Sequence, residues 1–230
     1  MSFLYETHVH TAEVSTCGRV PAADVVRQYV ERGYSGLVLT DHFSRHTFAQ
    51  IGACSWEKQV DFFLTGYRIA CETAAEEAPD FHVLLGLELR LDCDEDNDYL
   101  LYGANEAFLR RSDGLLQMPF EQMAKYVHEN GLLLVQAHPF RRHMCIADWN
   151  LLDGVEVYNG NPHHESNNPI AALWARRHHL LETSGSDYHG DWGAHLGGIR
   201  TNKPLADSRQ FAEVLRSGQY TLIYKEEYPV

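Results

Sequence analysis

Short apolar runs alternate along this chain with longer segments whose apolar residues recur at helical spacing, the pattern of β-α units. Phe3-Leu4-Tyr5 forms the first run. Pro21 suits the first turn of a helix, Asp24 favours its N-terminal end, and Val25, Val26, Tyr29 and Val30 give its apolar stripe before Gly33 stops it. Residues 35–40 read as the next strand, and residues 56–78 as a long helix with Phe62, Phe63, Tyr67, Ile69 and Ala70 inward. Residues 81–91 and 99–102 read as strands, and the acidic stretch 92–98 between them as an exposed, solvated loop. A helix over 119–130 closed by Gly131, a strand over 132–137 and a strand over 154–158 follow. The pattern ends with a helix over 169–177, a strand over 180–184 and a helix over 208–217; residues 220–224 either close the sheet or pack outside it. The runs are nearly continuous rather than alternating, as in parallel strands covered on both faces. A parallel barrel presents its functional groups at the C-terminal ends of its strands.

The polar residues that end these runs are unusual. His8 and His10 follow the first run, Asp41-His42 follows Leu37-Val38-Leu39-Thr40, and Glu88 follows Val83-Leu84-Leu85-Gly86-Leu87. His138 ends residues 132–137, and Asp187 and His189 follow the strand over 180–184. Imidazoles and carboxylates are ligands for Zn, Mn and Fe. Strand ends that bring them together would build a multinuclear metal site, and clustered metals point to metal-assisted hydrolysis.

Composition narrows the picture. At 230 residues the chain is expected to be a single domain over 1–230 with a full core. A net charge of −13 argues against broad binding to a nucleic-acid backbone, although bound cations would offset charge locally. The cysteines (Cys17, Cys54, Cys71, Cys93, Cys145) are odd in number and form no C-x-x-C pair, so neither a disulfide framework nor a zinc finger is suggested. No signal peptide and no membrane-spanning run is visible, so a soluble cytoplasmic protein is expected.

The segments T-H-V-H-T (7–11), L-T-D-H (39–42), G-L-E (86–88), A-H-P-F (137–140) and G-S-D-Y-H (185–189), in this order, resemble the polymerase and histidinol phosphatase (PHP) superfamily of metal-dependent phosphoesterases. L-D-G-V-E-V-Y-N (152–159) is similar to another recurrent segment of that family. The resemblance implies an α/β fold, a distorted (β/α)7 TIM-like barrel, with two or three divalent metal ions (Zn, Mn or Fe). It implies His8, His10 and Asp187 as ligands of a first metal, Glu88 as a bridging carboxylate, His138 on a second metal, and His42 and His189 on a third. Asp41 is expected to orient a ligand or backbone rather than bind metal. Two positions depart from the family pattern. Ser15 and Thr16 stand where an Asp or His often follows H-x-H; Glu13 is the nearest oxygen ligand that could substitute, with Cys17 behind it. Leu100 stands where a His often follows the bridging Glu.

The expected reaction is hydrolysis of a small phosphomonoester, of histidinol-phosphatase type or a small nucleotide, by a metal-activated hydroxide, with Asp187, His189 and Glu88 as catalytic residues. Arg141 and Arg142 leave the A-H-P-F strand end, where a guanidinium fork could meet phosphate oxygens, and Arg19 is placed similarly after the first strand. Asn159 and Asn161 are weaker candidates for substrate contact. The rival readings are an exonuclease or nucleotide phosphodiesterase on the same scaffold, a metal-binding module without catalysis, and an amide hydrolase sharing the barrel. His195, in the segment 192–198, reads first as a loop residue, with reach to substrate as the alternative. His128, His178 and His179 read as structural or surface histidines.

Overall fold

A computed structural model describes residues 2–190 and 196–224, with Glu95 by its backbone alone. The apolar runs form strands and the helical stripes form helices. The chain runs β1 (Phe3–Val9), α1 (Ala22–Glu31), β2 (Gly36–Leu39), β3 (His42–Phe43), α2 (Arg45–Ala49) and α3 (Trp56–Glu77). It continues through β4 (His82–Leu85), β5 (Leu87–Leu91), β6 (Asp94–Tyr102), α4 (Glu106–Arg110), α5 (Phe120–Glu129) and β7 (Leu133–Gln136). The last elements are β8 (Gly154–Asn159), α6 (Asn168–His178), β9 (Leu181–Gly185), β10 (Ile199–Thr201), α7 (Ser208–Ser217) and β11 (Tyr220–Leu222). In α1 the stripe Val25, Val26 and Tyr29 is buried, as its 3.6-residue spacing requires. Asp207 accepts a hydrogen bond from the Gln210 amide and starts α7, and Gly218 ends that helix in the left-handed conformation.

The strands form a five-stranded sheet, β11-β10-β1-β2-β4, and a six-stranded sheet, β3-β5-β6-β7-β8-β9. The parallel pairing expected from the apolar runs holds for β1-β2-β4, β3-β5 and β7-β8-β9. It fails at β6, which runs antiparallel to both β5 and β7. The cause is chain length. Only residues 92–93 separate β5 from β6, enough for a hairpin and far too few for a parallel crossover. The acidic stretch is therefore mostly strand rather than loop: Asp94 pairs with Leu91 and accepts hydrogen bonds from Asn97 and Tyr99. Residues 220–224 contribute β11, an edge strand beside β10.

The two sheets approach each other along two seams. On one, β2 leads into β3 and β4 into β5, tied by hydrogen bonds from Gly86 N to Leu39 O and from Glu88 N to Asp41 O. On the other, the end of β1 meets the chain leaving β9: His10 N donates to Tyr188 O, Tyr188 N donates to His8 O, and Val9 and Tyr188 form a bridge. Thr7 Oγ1 also donates to Ser184 O. The ladders themselves define two sheets rather than one continuous ring of strands.

The second seam requires glycine at its centre. A Cβ on Gly185 would run into His8 Cβ and lie 2.6 Å from Glu156 Oε1. Gly185→Ala is therefore expected to cost about 1–3 kcal/mol of stability by overpacking, read as a lower urea midpoint. An unchanged midpoint would show that β1 and β9 are not held this closely.

Candidate metal centre

The polar ends of the strands converge on one buried cluster. The Glu88 carboxylate, from the second residue of β5, is 1% exposed and sits among four imidazoles. Its oxygens lie 3.3 Å from His8 Nε2, 3.3 Å from His10 Nε2, 2.8 Å from His42 Nδ1 and 3.1 Å from His138 Nε2. Asp187 Oδ1 lies 3.5 Å from His8 Nε2 and 3.4 Å from His10 Nε2. His189 stacks on His10, which stacks on His42, with ring centroids 4.3 and 4.5 Å apart. Two of these residues are held in the left-handed backbone region, His138 at φ 30° and Asp187 at φ 50°. Such a conformation costs a non-glycine residue about 1–3 kcal/mol and persists where the surroundings impose it, often at functional sites.

The donor set fits divalent cations. His8, His10 and Glu88 offer ligand atoms within 4.8 Å of one another, as do His8, His138 and Asp187, and His10, His42 and His189. His8 Nε2, His10 Nε2 and His138 Nδ1 are buried without a hydrogen-bond partner among the described residues, although carboxylates lie close to the first two. Buried polar atoms are rarely left in that condition, and a cation among them would satisfy several at once.

Surrounding groups fix the imidazole tautomers. His8 Nδ1 lies 2.8 Å from Glu156 Oε1, so Nδ1 carries the proton and Nε2 faces the cluster. Glu156 also accepts from His138 N and Asn159 Nδ2. His189 Nδ1 donates to the Asp187 carbonyl, which leaves Nε2 as its donor atom for a cation. Asp41 accepts from Thr11 N, Thr11 Oγ1 and Ser15 Oγ, bracing the turn after β1. Glu6 accepts from the amides of Thr7, His8 and Ser186 and so ties the end of β1 to the chain after β9.

Several expectations change here. Glu13 is not in the cluster. Both of its oxygens accept from Ala22 N at the start of α1, and a helix N-terminus competes well for a carboxylate. Leu100 pairs opposite Glu88 in β6 and is buried in apolar core. Asp98, two residues before it on the same strand face and 2% exposed, approaches the cluster instead. With His42 and Glu88 it forms another group that could hold an ion, and Arg90 bonds it through Nε and Nη2. Asp98 and Glu156 are not among the site residues that the sequence pattern singles out. The signal available was a carboxylate within an otherwise apolar strand, V-E-V-Y for Glu156.

The cluster opens into a cavity of about 450 Å³. Arg141 lines it, and its Nη2 lies 2.7 Å from Asp187 Oδ2 and 2.9 Å from Asn159 Oδ1. Arg142 is exposed and outside that lining. Arg19 lies in a smaller adjoining hollow with His163 and His164. Asn159 and Asn161 donate to Asp187 Oδ2 and so position that carboxylate. Cys17 is at the cavity mouth: burial pushes its thiol up, but the neighbouring imidazoles of His189 and His42 outweigh this and bring it down to about 6. His128 meets Asp153, and His178 lies against Trp149 and Trp174. His195 lies outside the described residues.

An α/β protein with imidazoles and carboxylates gathered at its strand ends has the architecture of a metal centre. The chain belongs to the PHP domain family, whose model matches residues 6–220. Its fold is similar to that of a two-domain protein from Bacteroides vulgatus containing a predicted PHP-like metal-dependent phosphoesterase (TM-score 0.70, 16% identity). That match covers 98% of this chain, which spans only 66% of the other. It is also similar to a putative metal-dependent phosphoesterase from Bifidobacterium adolescentis (TM-score 0.55, 19% identity, 92% of this chain and 95% of that one). An amidohydrolase from Chromobacterium violaceum, with bound sulfate and no metal, matches at TM-score 0.54 and 17% identity over 96% of this chain and 97% of that one. No curated protein sequence matches the chain significantly.

The charges around the cluster would give metal binding there a pH dependence. Burial disfavours protonation of His8, but Glu156, Asp187 and Glu88 outweigh it and raise that imidazole well above its ordinary value. Burial likewise opposes protonation of His42 and His189, yet Glu88 beside His42 and Cys17 and Asp187 beside His189 raise both. A cation must displace these protons. Apparent affinity for Mn2+ or Zn2+ is expected to rise as pH rises, by up to about tenfold per pH unit for each proton released. Titration calorimetry in buffers of different ionisation heat measures that release; a pH-independent affinity would contradict it.

Proposed function

We propose that this protein is a metal-dependent phosphoesterase that hydrolyses a small phosphomonoester. The observation that carries this reading is the convergence of His8, His10, His42, Glu88, His138, Asp187 and His189 in one cluster, of which His42, Glu88, His138, Asp187 and His189 line the cavity, with several donor atoms unpartnered. Family membership supports phosphate as the group acted on, and about 450 Å³ suits a small molecule rather than a polymer track. The net charge of −13 likewise disfavours a nucleic-acid substrate. Free thiols at all five cysteines fit a reducing compartment such as the cytoplasm.

We read the two sheets as halves of a distorted seven-stranded barrel: β1, β2 with β3, β4 with β5, then β6, β7, β8 and β9, closing through Val9 and Tyr188. In this reading His8, His10 and Asp187 would hold one ion, Glu88 and His138 a second, and His42 and His189 a third. Bound divalent ions would supply a water acidified to near-neutral pKa and would neutralise charge on the phosphoryl oxygens. Glu88, held ionised by His42 and His8 against its burial, anchors the centre. Arg141, aligned by Asn159 and Asp187, offers its guanidinium to a phosphate oxygen from the cavity wall. His189 Nε2 is the atom available to hold a cation or move a proton at the mouth. The site thus supplies positioning and charge complementarity without a serine or cysteine nucleophile.

The test is phosphate release from a panel of phosphomonoesters in the presence of Mn2+ or Zn2+. Asp187→Ala is expected to remove activity by several orders of magnitude while the chain stays folded. Arg141→Ala is expected to lower kcat/KM by about 10–100-fold, mainly through KM, as fits loss of a charged hydrogen bond to substrate. A folded Asp187→Ala protein with full activity, or no release from any ester by metal-loaded protein, would overturn the reading.

A further inference from the structure

Arg90 stands two residues beyond Glu88 on the same face of β5 and lines the same cavity. The strand pairing around it is irregular. Leu89 pairs with Tyr99 and Leu91 with Asp94, so residues 95–98 of β6 stand opposite Arg90 alone. Bulges of this kind re-aim side chains and are common beside active sites. This one is pinned on both sides. Asp94 accepts from Asn97 Nδ2 and Tyr99 OH, and Asn97 Oδ1 accepts from Gln136 Nε2 and Cys145 N. Asp98 is thereby carried inward, to 2% exposure.

Asp98 in turn fixes the Arg90 guanidinium. Arg90 Nε donates to Asp98 Oδ1 at 2.7 Å and Nη2 to Asp98 Oδ2 at 2.5 Å, a two-point fork that sets the plane of the group. Both bonds use one edge of the guanidinium, which leaves Nη1 for a further acceptor, and the side chain stays 32% exposed on the cavity wall. Arg141 is at the other end of the cluster. Contacts run from Arg141 through Asp187, His8, Glu88, His138 and Asp98 to Arg90. The bulge also steadies the chain that carries Arg141, because Cys145, four residues further on, is the donor to Asn97.

A terminal phosphoryl group has three non-bridging oxygens. Guanidinia at the two ends of the cluster can pair with two of them and leave the last facing the imidazoles. A phosphodiester has one oxygen too few to fill all these places. We propose that Arg90, oriented by Asp98, is a second phosphate-binding residue facing Arg141, and that the pair selects terminal phosphomonoesters over diesters. This rests on reading the site as that of a phosphoesterase.

The test compares p-nitrophenyl phosphate with bis(p-nitrophenyl) phosphate on the metal-loaded full chain, alongside calorimetric binding of inorganic phosphate. The wild type is expected to favour the monoester in kcat/KM. Removing the guanidinium outright would strand the buried Asp98 carboxylate, so the variant of choice is Arg90→Lys, which keeps a cation there without the fork. It is expected to hold the wild-type urea midpoint, to lose about tenfold in monoester kcat/KM, mainly through KM, and to bind inorganic phosphate about tenfold more weakly. Its diester kcat/KM is expected to stay within about twofold of the wild type. Wild-type protein that turns over the diester as well as the monoester would overturn the proposal without any variant. So would a folded Arg90→Lys protein with unchanged phosphate affinity, or with equal losses on both esters, since a mere prop for the cluster would not alter their ratio. Wild-type protein that releases product from neither ester and binds no phosphate would instead overturn the phosphoesterase reading, and this proposal with it.

Discussion

One carboxylate, Glu88, organises the site. It is desolvated, it meets imidazoles from the β1 end, from β3 and from the end of β7, and it stays ionised only because of them. Burying such a charge without partners would cost several kcal/mol. The strand ends that carry His8, His10, His42 and His138 must therefore arrive together. Much of the local architecture serves that requirement: Asp41 braces the turn after β1, Glu6 ties β1 to the chain leaving β9, and Gly185 lets β9 approach His8.

A second tier of polar groups converts proximity into chemistry. Glu156 sets the His8 tautomer and holds the His138 backbone amide. Asn159 and Asn161 hold Asp187, and the Asp187 carbonyl sets the tautomer of His189. These groups need not touch a ligand to matter. They decide which nitrogen faces the cluster, so a cation bound there would meet donors already in place. The left-handed backbone at His138 and Asp187 fits the same picture, in which surrounding contacts impose a costly local conformation.

The alternation of apolar runs and helical stripes revealed most elements within a few residues, because burial of one face dictates period. The clustered imidazoles and carboxylates are legible for a related reason: a polar residue ending an apolar run sits where a strand emerges from the core. What the sequence concealed depends on direction. Nearness in sequence suggested Glu13 as a ligand, but the start of α1 claims its carboxylate. Arg141 and Arg142 are adjacent, yet only the first lines the cavity. The charge of residues 92–98 suggested solvent, whereas pairing with β5 and β7 carries Asp98 inward. Glu156 and Glu6 were hidden by their role, since each satisfies backbone and imidazole groups whose positions only the fold reveals.

The claim that this cluster is a metal centre is tested most directly by diffraction at a metal absorption edge, using crystals grown with Mn2+ or Zn2+. Anomalous peaks enclosed by His8, His10, Glu88, His138 and Asp187 are predicted, with those side chains close to their present positions. Ions found only at the protein surface, with the buried imidazoles still unpartnered, would contradict it.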